Sequence, residues 1–417
     1  MSLLYTLSIH IYNFTIRVSS LFNAKAKLWV KGRQNIFERL QSEITPHKFI
    51  AWFHCASLGE FEQGRPVIEA FAKEHPEFKI LLTFFSPSGY EIRKNYDGAD
   101  WVFYLPIDTP QNAKRFIQIV NPTFAVFVKY EFWFNYMKAL KRSAVPLIVI
   151  SAIFRPNQRF FTWLGGWQRQ MLKQVRQFFV QNEASQKLLK DAEIRQVILS
   201  GDTRFDRVYQ IAQQSRSFPL IEKFSEGQQI LLAGSTWPQD EDIIVSYIKK
   251  QTPGIKFIFA PHEVHPQRIE SLIKKIPGKC LRFSKADNSN ILSTNILVID
   301  SIGILSHLYQ YASVAYIGGG FGVGIHNILE AATFGNPVIF GPNYKKFQEA
   351  KDLIGLGGAF GIANEKEFCE IIEKLTINAE FKQNASQISK QYIEDKIGAT
   401  EQIVEFINRE LLKECRG

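Results

Sequence analysis

Cysteine is scarce: Cys55, Cys280, Cys369 and Cys415 are the only four in 417 residues. They stand far apart, without the paired spacing of a structural zinc site or a disulfide framework, and this favours a reducing compartment. No block of five or six basic residues occurs, which argues against a nucleic-acid-binding tail. The start of the chain lacks the basic opening and small-residue cleavage site of a secretory signal. There is no Gly-x-Ser-x-Gly elbow, so a serine hydrolase is not expected. His262 and His265 have no third ligand nearby in the sequence, which argues against a metal centre.

What is present suits a two-domain enzyme. A length of 417 residues exceeds one ordinary core, and two domains of about 200 residues are the natural expectation. The hydrophobic fraction of 46% and 35 phenylalanines supply core material. A net charge of +10 favours an anionic partner such as a nucleotide or a phospholipid.

Residues Met1 to Phe22 are rich in Leu, Ile, Tyr and Phe, with Thr6, His10, Asn13 and Arg17 recurring at helical spacing. Leu3, Leu4, Leu7, Ile11, Phe14, Val18 and Phe22 lie opposite them, and Lys25, Lys27, Lys31 and Arg33 follow at once. This is an amphipathic helix more than a clean spanning segment. An apolar stripe beside a basic cluster suits the cytoplasmic face of an anionic membrane, each cation near the surface contributing about 1 kcal/mol. A helix docked on its own domain and a single spanning anchor are the alternatives.

Strand-like apolar runs follow at Phe49–Cys55, Ile80–Phe85, Val102–Leu105, Phe124–Val128, Leu147–Ile150, Phe178–Val180 and Val197–Leu199, with helical patterns between most of them. Residues Tyr209 to Gly227 change to Gln, Ser and charged residues around Pro219 and read as a linker. A second series then runs through Ile230–Ala233, Phe257–Ala260, Leu281–Phe283, Ile296–Ile299, Val314–Ile317 and Val338–Phe340. Alternation of this kind calls for parallel sheets covered on both faces, with ligands in a cleft at the carboxyl ends of the strands. The expected division is 1–34 membrane-associating helix and basic flank, 35–208 first domain, 209–227 linker, 228–399 second domain and 400–417 C-terminal helix.

The most informative stretch runs from Ile317 to Pro342. Glycines at 318, 319, 320, 322 and 324 follow an apolar run, and a helical pattern through Ile328, Leu329, Ala332 and Phe334 precedes a second apolar run. Strand, glycine loop, helix and strand make a βαβ unit able to hold a phosphate or carboxylate at the helix start. The loop departs from the dinucleotide fingerprint and lacks the Lys-Ser/Thr of a P-loop. His326, Asn327 and Glu330 fall where side chains reach a nucleotide, and Glu330 could accept from ribose hydroxyls.

Other polar clusters also follow apolar runs. In His54–Gln63, Glu60 and Glu62 stand beside Gly59, where a carboxylate could serve as general base or simply as a helix-entry residue. Lys129–Trp133 offers Glu131 for substrate, and Ser151–Arg159 offers Arg155 for an anionic group. Ser235 and Thr236 could bind phosphate or cap a helix, and Pro261–Arg268 could wall a nucleotide site.

Taken in order, these motifs resemble the Kdo (3-deoxy-D-manno-octulosonic acid) transferases of Gram-negative lipopolysaccharide synthesis, nearly end to end. The resemblance rests on the apolar-basic start, Ser57-Leu-Gly-Glu-Phe61, Tyr130-Glu-Phe-Trp133, Gly201–Asp206 and Gly234-Ser-Thr236. Its strongest part is Gly318-Gly-Gly with His326-Asn-Ile-Leu-Glu-Ala-Ala332 and Gly341-Pro342. It implies a GT-B glycosyltransferase: two Rossmann-like doubly wound α/β domains facing a cleft, with an N-terminal amphipathic or membrane-anchor helix. The donor it implies is CMP-Kdo, and the acceptor a lipid A precursor at the cytoplasmic face of the inner membrane, without metal or cofactor.

Glu60 matches the family's catalytic carboxylate, with Ser57, Gly59, Glu131 and Arg155 expected to bind substrate. The nucleotide is expected against Ser235, Thr236, Pro261, His262, Gly303, Ile304, Leu305, Gly319, Gly320, His326, Asn327, Ile328, Leu329 and Glu330. Two departures stand out. Leu58 replaces the usual Val, and Pro261-His-Glu-Val-His-Pro-Gln-Arg268 is two residues longer than the family's Pro-Arg-His-Pro-Glu-Arg. The position equivalent to that arginine is therefore open. Gly322 stands where many retaining GT-B enzymes place a second Glu, which favours inversion. Rival readings are a GT-B enzyme using a UDP-sugar, or a non-catalytic nucleotide- or glycan-binding membrane protein.

Overall fold

The computed structural model describes residues 2–214, 216–250 and 254–413; Cys415 lies outside them. The chain forms two compact units, one from Met1–Arg207 with Ile397–Gly417 and the other from Val208–Lys396.

In the first unit seven parallel strands, β1 (Ile50–Cys55), β2 (Lys79–Phe84), β3 (Trp101–Tyr104), β4 (Phe124–Val128), β5 (Leu147–Ala152), β6 (Gln177–Val180) and β7 (Val197–Leu199), lie in the order β3-β2-β1-β4-β5-β6-β7. β1, β4 and β5 are buried along their whole length. Their apolar runs are continuous rather than alternating because helices cover both faces. One face packs Trp52, Phe116, Phe127 and Tyr136. The other packs Phe53, Phe71 and Phe124 with Ile403, Val404 and Ile407 of the returning chain.

The second unit repeats the architecture. Its strands β8 (Gln229–Thr236), β9 (Ile255–Pro261), β10 (Cys280–Arg282), β11 (Ile296–Val298), β12 (Val314–Ile317), β13 (Val338–Phe340) and β14 (Ala359–Gly361) are ordered β10-β11-β9-β8-β12-β13-β14. All pairings in both sheets are parallel. In each sheet the chain reverses its direction of travel once, between β1 and β4 and between β8 and β12. Ligands of doubly wound sheets bind outside the carboxyl ends of the strands at such points.

Several expected boundaries move. The polar stretch from Ala56 to Gly64 reads from sequence as a loop, yet the helix after β1 already begins at Leu58 and runs to Glu74. Gly59, Gly64 and Pro66 obscured its first turns. A Cβ on Gly64 would stand 3.0 Å from Val128 and 3.2 Å from Cys55, so glycine lets this helix lie close on the sheet. The stretch 209–227 carries the end of helix Thr203–Gln213 and a helix at Pro219–Ser225. After the glycine loop, the helix is a single turn, Leu329–Ala332, rather than one continuing through Phe334.

The N-terminal helix, Ser2–Ser19, docks through its aromatic side. The Tyr5 hydroxyl donates to Asp108 Oδ2 (2.7 Å), and its ring meets Phe134 and Trp167. Tyr12 packs on Trp29 and Phe85. Leu3, Leu4, Leu7, Ile11, Phe14, Val18 and Phe22 face outward, between 46% and 89% exposed. Lys25, Lys27 and Lys31 are exposed, but Arg33 is not part of that basic surface. Its guanidinium turns inward to the carbonyls of Leu105, Trp29 and Phe85, because three aromatic rings surround it. Among the described residues no helix is long and apolar enough to cross a membrane.

Candidate functional site

In the first unit, the sheet reversal brings the end of β1 beside the end of β4. Ser57 occupies the cap position of helix Leu58–Glu74, but its hydroxyl makes no capping bond; it donates to the Glu60 carboxylate instead. Glu60 is 9% exposed, and the other side of its carboxylate lies 3.8 Å from Lys129 Nζ. Lys129 follows β4 with φ of +69°, a left-handed turn that few side chains adopt. Glu62, two residues on, turns to a partly exposed ion pair with Arg93 (2.9 Å). Only one of the two adjacent glutamates therefore belongs to the sheet-end site.

Glu131 reaches the same neighbourhood. Its carboxylate stands 3.9 Å from His54 Nε2, but that nitrogen accepts from Trp133 Nε1 (3.1 Å). The His54 proton therefore sits on Nδ1, facing the carbonyl and hydroxyl of Thr83. The imidazole is neutral, and the contact is no salt bridge. Burial first, then Glu60, Glu131 and Glu62, pushes the enclosed Cys55 thiol well up, so Cys55 is no thiolate nucleophile. Arg155 is exposed beyond β5, its backbone N–H bonded to Gln158.

Gly201–Asp206 proves to be a structural brace. Asp202 accepts from Gln63 Nε2 (3.0 Å), and the Thr203 hydroxyl donates to the Gln63 carbonyl. Both bonds hold the helix that carries Glu60. Asp206 binds the backbone N–H groups of Gly398 and Thr400 and the Thr400 hydroxyl (2.6, 2.9 and 2.9 Å), fixing the returning chain.

In the second unit, the ends of β8, β9 and β12 meet. Gly318, Gly319 and Gly320 are buried. A Cβ on Gly318 would collide with the Ser235 carbonyl, and one on Gly320 would collide with the Gly341 backbone. These two glycines thus serve close packing of the protein on itself more than approach to a ligand. Asp240, fully buried, accepts from Trp237 N–H (2.8 Å), Gly319 N–H (2.9 Å) and the Tyr316 hydroxyl (2.9 Å), fastening the glycine loop to the end of β8. Burial pushes its carboxyl up despite those three donors. Nothing in the sequence singled out Asp240 beyond its place at a helix start.

Thr236 differs from expectation. It is fully buried and its hydroxyl donates to Glu241 (2.8 Å), so it supports the site instead of facing a phosphate. Ser235, partly exposed with φ of +52°, is the residue of that pair near the surface. Glu241 also pairs with Arg268, which gives the arginine after the lengthened segment a structural partner. His265 caps the helix Pro266–Lys275 through Nδ1. Among the described residues no cluster of three or more metal-binding side chains occurs.

Three rings form a stack: Trp237 on His262 (4.8 Å) and His262 on His326 (4.5 Å). Trp237 Nε1 donates to His326 Nε2 (3.2 Å), leaving Nδ1 as the donor of a neutral ring. Burial and neighbouring His262 both push the His326 pKa down. Pro261, at the end of β9, is buried beside exposed His262. Asn327 joins Glu330 through its amide (3.1 Å) and accepts from Leu329 N–H. Ile328 and Leu329 are core side chains, at 1% and 0% exposure, able to offer a ligand only backbone. Leu305 borders Gly234, and Ile304 caps its helix. Gly303 lies on an exposed turn beside them.

Residues 33–207 match a family model described as 3-deoxy-D-manno-octulosonic-acid transferase (kdotransferase). A 3-deoxy-D-manno-octulosonic acid transferase of Aquifex aeolicus is 28% identical over 352 residues, covering 82% of this chain and 91% of that protein. One from Rickettsia bellii is 27% identical over 338 residues, covering 79% and 80%. The family model and these relatives together support the Kdo transferase family for this chain. Among solved structures, a putative UDP-N-acetylglucosamine 2-epimerase from Listeria monocytogenes aligns with TM-score 0.60 at 14% identity, covering 88% of this chain and 97% of that one. The UDP-GlcNAc 2-epimerase of Neisseria meningitidis gives 0.58 at 16%, covering 87% and 100%. Those likenesses concern the fold alone, two Rossmann-like units of the GT-B kind. The fold is thus of the GT-B kind, and it is the similarity to Kdo transferases that supports a glycosyltransferase acting in lipopolysaccharide biosynthesis.

Proposed function

We propose that the enzyme moves Kdo from CMP-Kdo to a hydroxyl of a lipid A precursor, lipid IVA, with inversion and with Glu60 as general base. The observation that carries this reading is the Glu60 carboxylate, nearly buried at the end of β1 beside Ser57 and Lys129. As the acceptor oxygen bonds to the anomeric carbon of Kdo, its proton passes to Glu60. The bond from that carbon to the CMP phosphate breaks, and CMP leaves with the electron pair. A single displacement inverts the centre. Lys129 is suited to the carboxylate of the Kdo sugar, with Ser57, Gly59, Glu131 and Arg155 on the acceptor and sugar.

The CMP moiety is assigned to the second unit. Asn327 and Glu330 supply polar side chains, His326 a neutral donor, and Ser235 with the backbone of Gly319 and Gly320 further polar groups. Pro261, His262, Gly303, Ile304, Leu305, Ile328 and Leu329 complete that surface, with Thr236 behind it. No metal enters the proposed step.

The exposed apolar stripe of the N-terminal helix, with Lys25, Lys27 and Lys31 beyond it, supports attachment to the cytoplasmic face of the inner membrane. Replacing Leu7 and Phe14 by Glu should release the protein from anionic vesicles in a flotation assay; unchanged flotation would count against this attachment.

The deciding experiment incubates the enzyme with CMP-Kdo and lipid IVA, and in parallel with UDP-N-acetylglucosamine, and weighs the lipid by mass spectrometry. A Kdo-sized mass increase is expected only with CMP-Kdo. Glu60→Gln keeps the side-chain shape but should lower turnover by about 10²–10⁴. A variant with near-normal turnover removes Glu60 from the role.

A further inference from the structure

Away from both sheet-end sites, a cavity of about 370 Å³ in the first unit is lined by Asn13 and Arg17 of the N-terminal helix together with Trp29, Arg33, Glu38 and Arg115. Three guanidinium groups thus meet one carboxylate. Arg33 gives its hydrogen bonds to neutral carbonyls, those of Leu105 (2.9 Å), Trp29 (3.2 Å) and Phe85 (2.7 Å). Its charge lies over the rings of Trp29 (3.9 Å) and Tyr104 (4.8 Å). No ion pair to Arg33 occurs among the described residues. Burial pushes this guanidinium down to about 9, the mark of a cation short of a counter-ion.

Trp29, 5% exposed, adds an indole N–H with no partner among the described residues. Arg115 lies over Phe37 (4.5 Å) and donates to Gln41 (3.2 Å), and both it and Arg17 are exposed at the cavity. Phe14 and Val18, each next in sequence to a lining residue, belong to the outward apolar stripe.

We infer that this cavity binds the phosphodiester of a membrane glycerophospholipid, Arg17 and Arg115 contacting the phosphate oxygens above Arg33, with the acyl chains leaving along Phe14 and Val18. Guanidinium forks match phosphate oxygens in pairs. Glu38 on the wall disfavours a second negative charge, so a diester monoanion fits better than a free phosphate dianion. The site goes beyond glycosyl transfer and requires neither donor nor acceptor.

The test titrates the full chain with dihexanoyl phosphatidylglycerol, kept below its micelle concentration, by calorimetry. Inorganic phosphate and uncharged dihexanoylglycerol are the comparisons. Saturable binding of one lipid per chain is expected, weakened at least tenfold in the Arg17→Gln/Arg115→Gln double variant. Asn13→Trp, which fills the cavity without removing charge, should weaken it likewise, whereas Lys25→Gln outside the cavity should not. Absence of saturable binding, equal binding by the cavity variants, or inorganic phosphate binding as tightly as the lipid each overturns the proposal. The titration contains no sugar nucleotide, so its failure is separate from any failure of the transfer reaction.

Discussion

Removing Asp240 tests how the second unit holds its glycine loop. Asp240→Ala leaves three donors, Trp237 N–H, Gly319 N–H and the Tyr316 hydroxyl, without their acceptor at a position with no exposure. Each stranded buried donor costs about 1–3 kcal/mol, so the expected loss for three is about 3–9 kcal/mol, a large part of a typical domain's stability. Tyr316→Phe removes one donor and leaves the carboxylate two, and should cost about 1 kcal/mol. Combining both changes should cost less than their sum, because the hydroxyl no longer misses an acceptor. Hydrogen exchange of amides between 314 and 324 reads this local stability, and calorimetry with CMP reads the site, where Asp240→Ala should weaken affinity at least tenfold. Protection within 1 kcal/mol of wild type, or strict additivity of the two changes, would refute the role given to this carboxylate.

Asp206→Ala removes the three bonds that fix Gly398 and Thr400; limited proteolysis near residue 398 should accelerate at least tenfold, and an unchanged cleavage rate would speak against the brace. Asp108 gives a pH signature. Burial raises its carboxyl from 3.8 to about 6, so between those values the native state binds the proton more tightly than the unfolded chain. Its contribution to stability therefore declines as pH rises through that window, by about 3 kcal/mol, and is constant above it. Asp108→Asn cannot titrate, so the stability of wild type relative to this variant should fall between about pH 4 and pH 7 in urea titrations; a constant difference would contradict the assignment.

Most of the architecture could be read in advance because continuous apolar runs bounded by polar turns are what a doubly covered parallel sheet requires. Phe124–Val128, Val197–Leu199, Val314–Ile317 and Val338–Phe340 form strands with the expected ends. β14 was missed, since Ala-Phe-Gly is three residues with little apolar signal and follows two glycines. The candidate site was legible as motifs but not as roles. Thr236 ends a strand and Glu60 follows one by a few residues, both polar beside an apolar run, yet one is enclosed with Glu241 and the other stands between Ser57 and Lys129. Sequence spacing carries no sign of which way a side chain turns. Arg33 makes the same point: it looked like one more surface cation, and only the aromatic rings brought to it by residues 85 and 104 draw it inward.

The order in which the polypeptide visits its two units also matters during synthesis. A ribosome has delivered every strand of the first sheet by Leu199, yet the helix Ala399–Phe406 that covers Phe53, Phe71 and Phe124 emerges almost two hundred residues later. Until then a greasy flank awaits its cover while a whole second body is being made. Nascent chains stalled or cut short before about residue 400 are accordingly the species most in need of chaperone protection, and a tag or fusion that hinders the final helix will injure the half of the enzyme farthest from it in sequence.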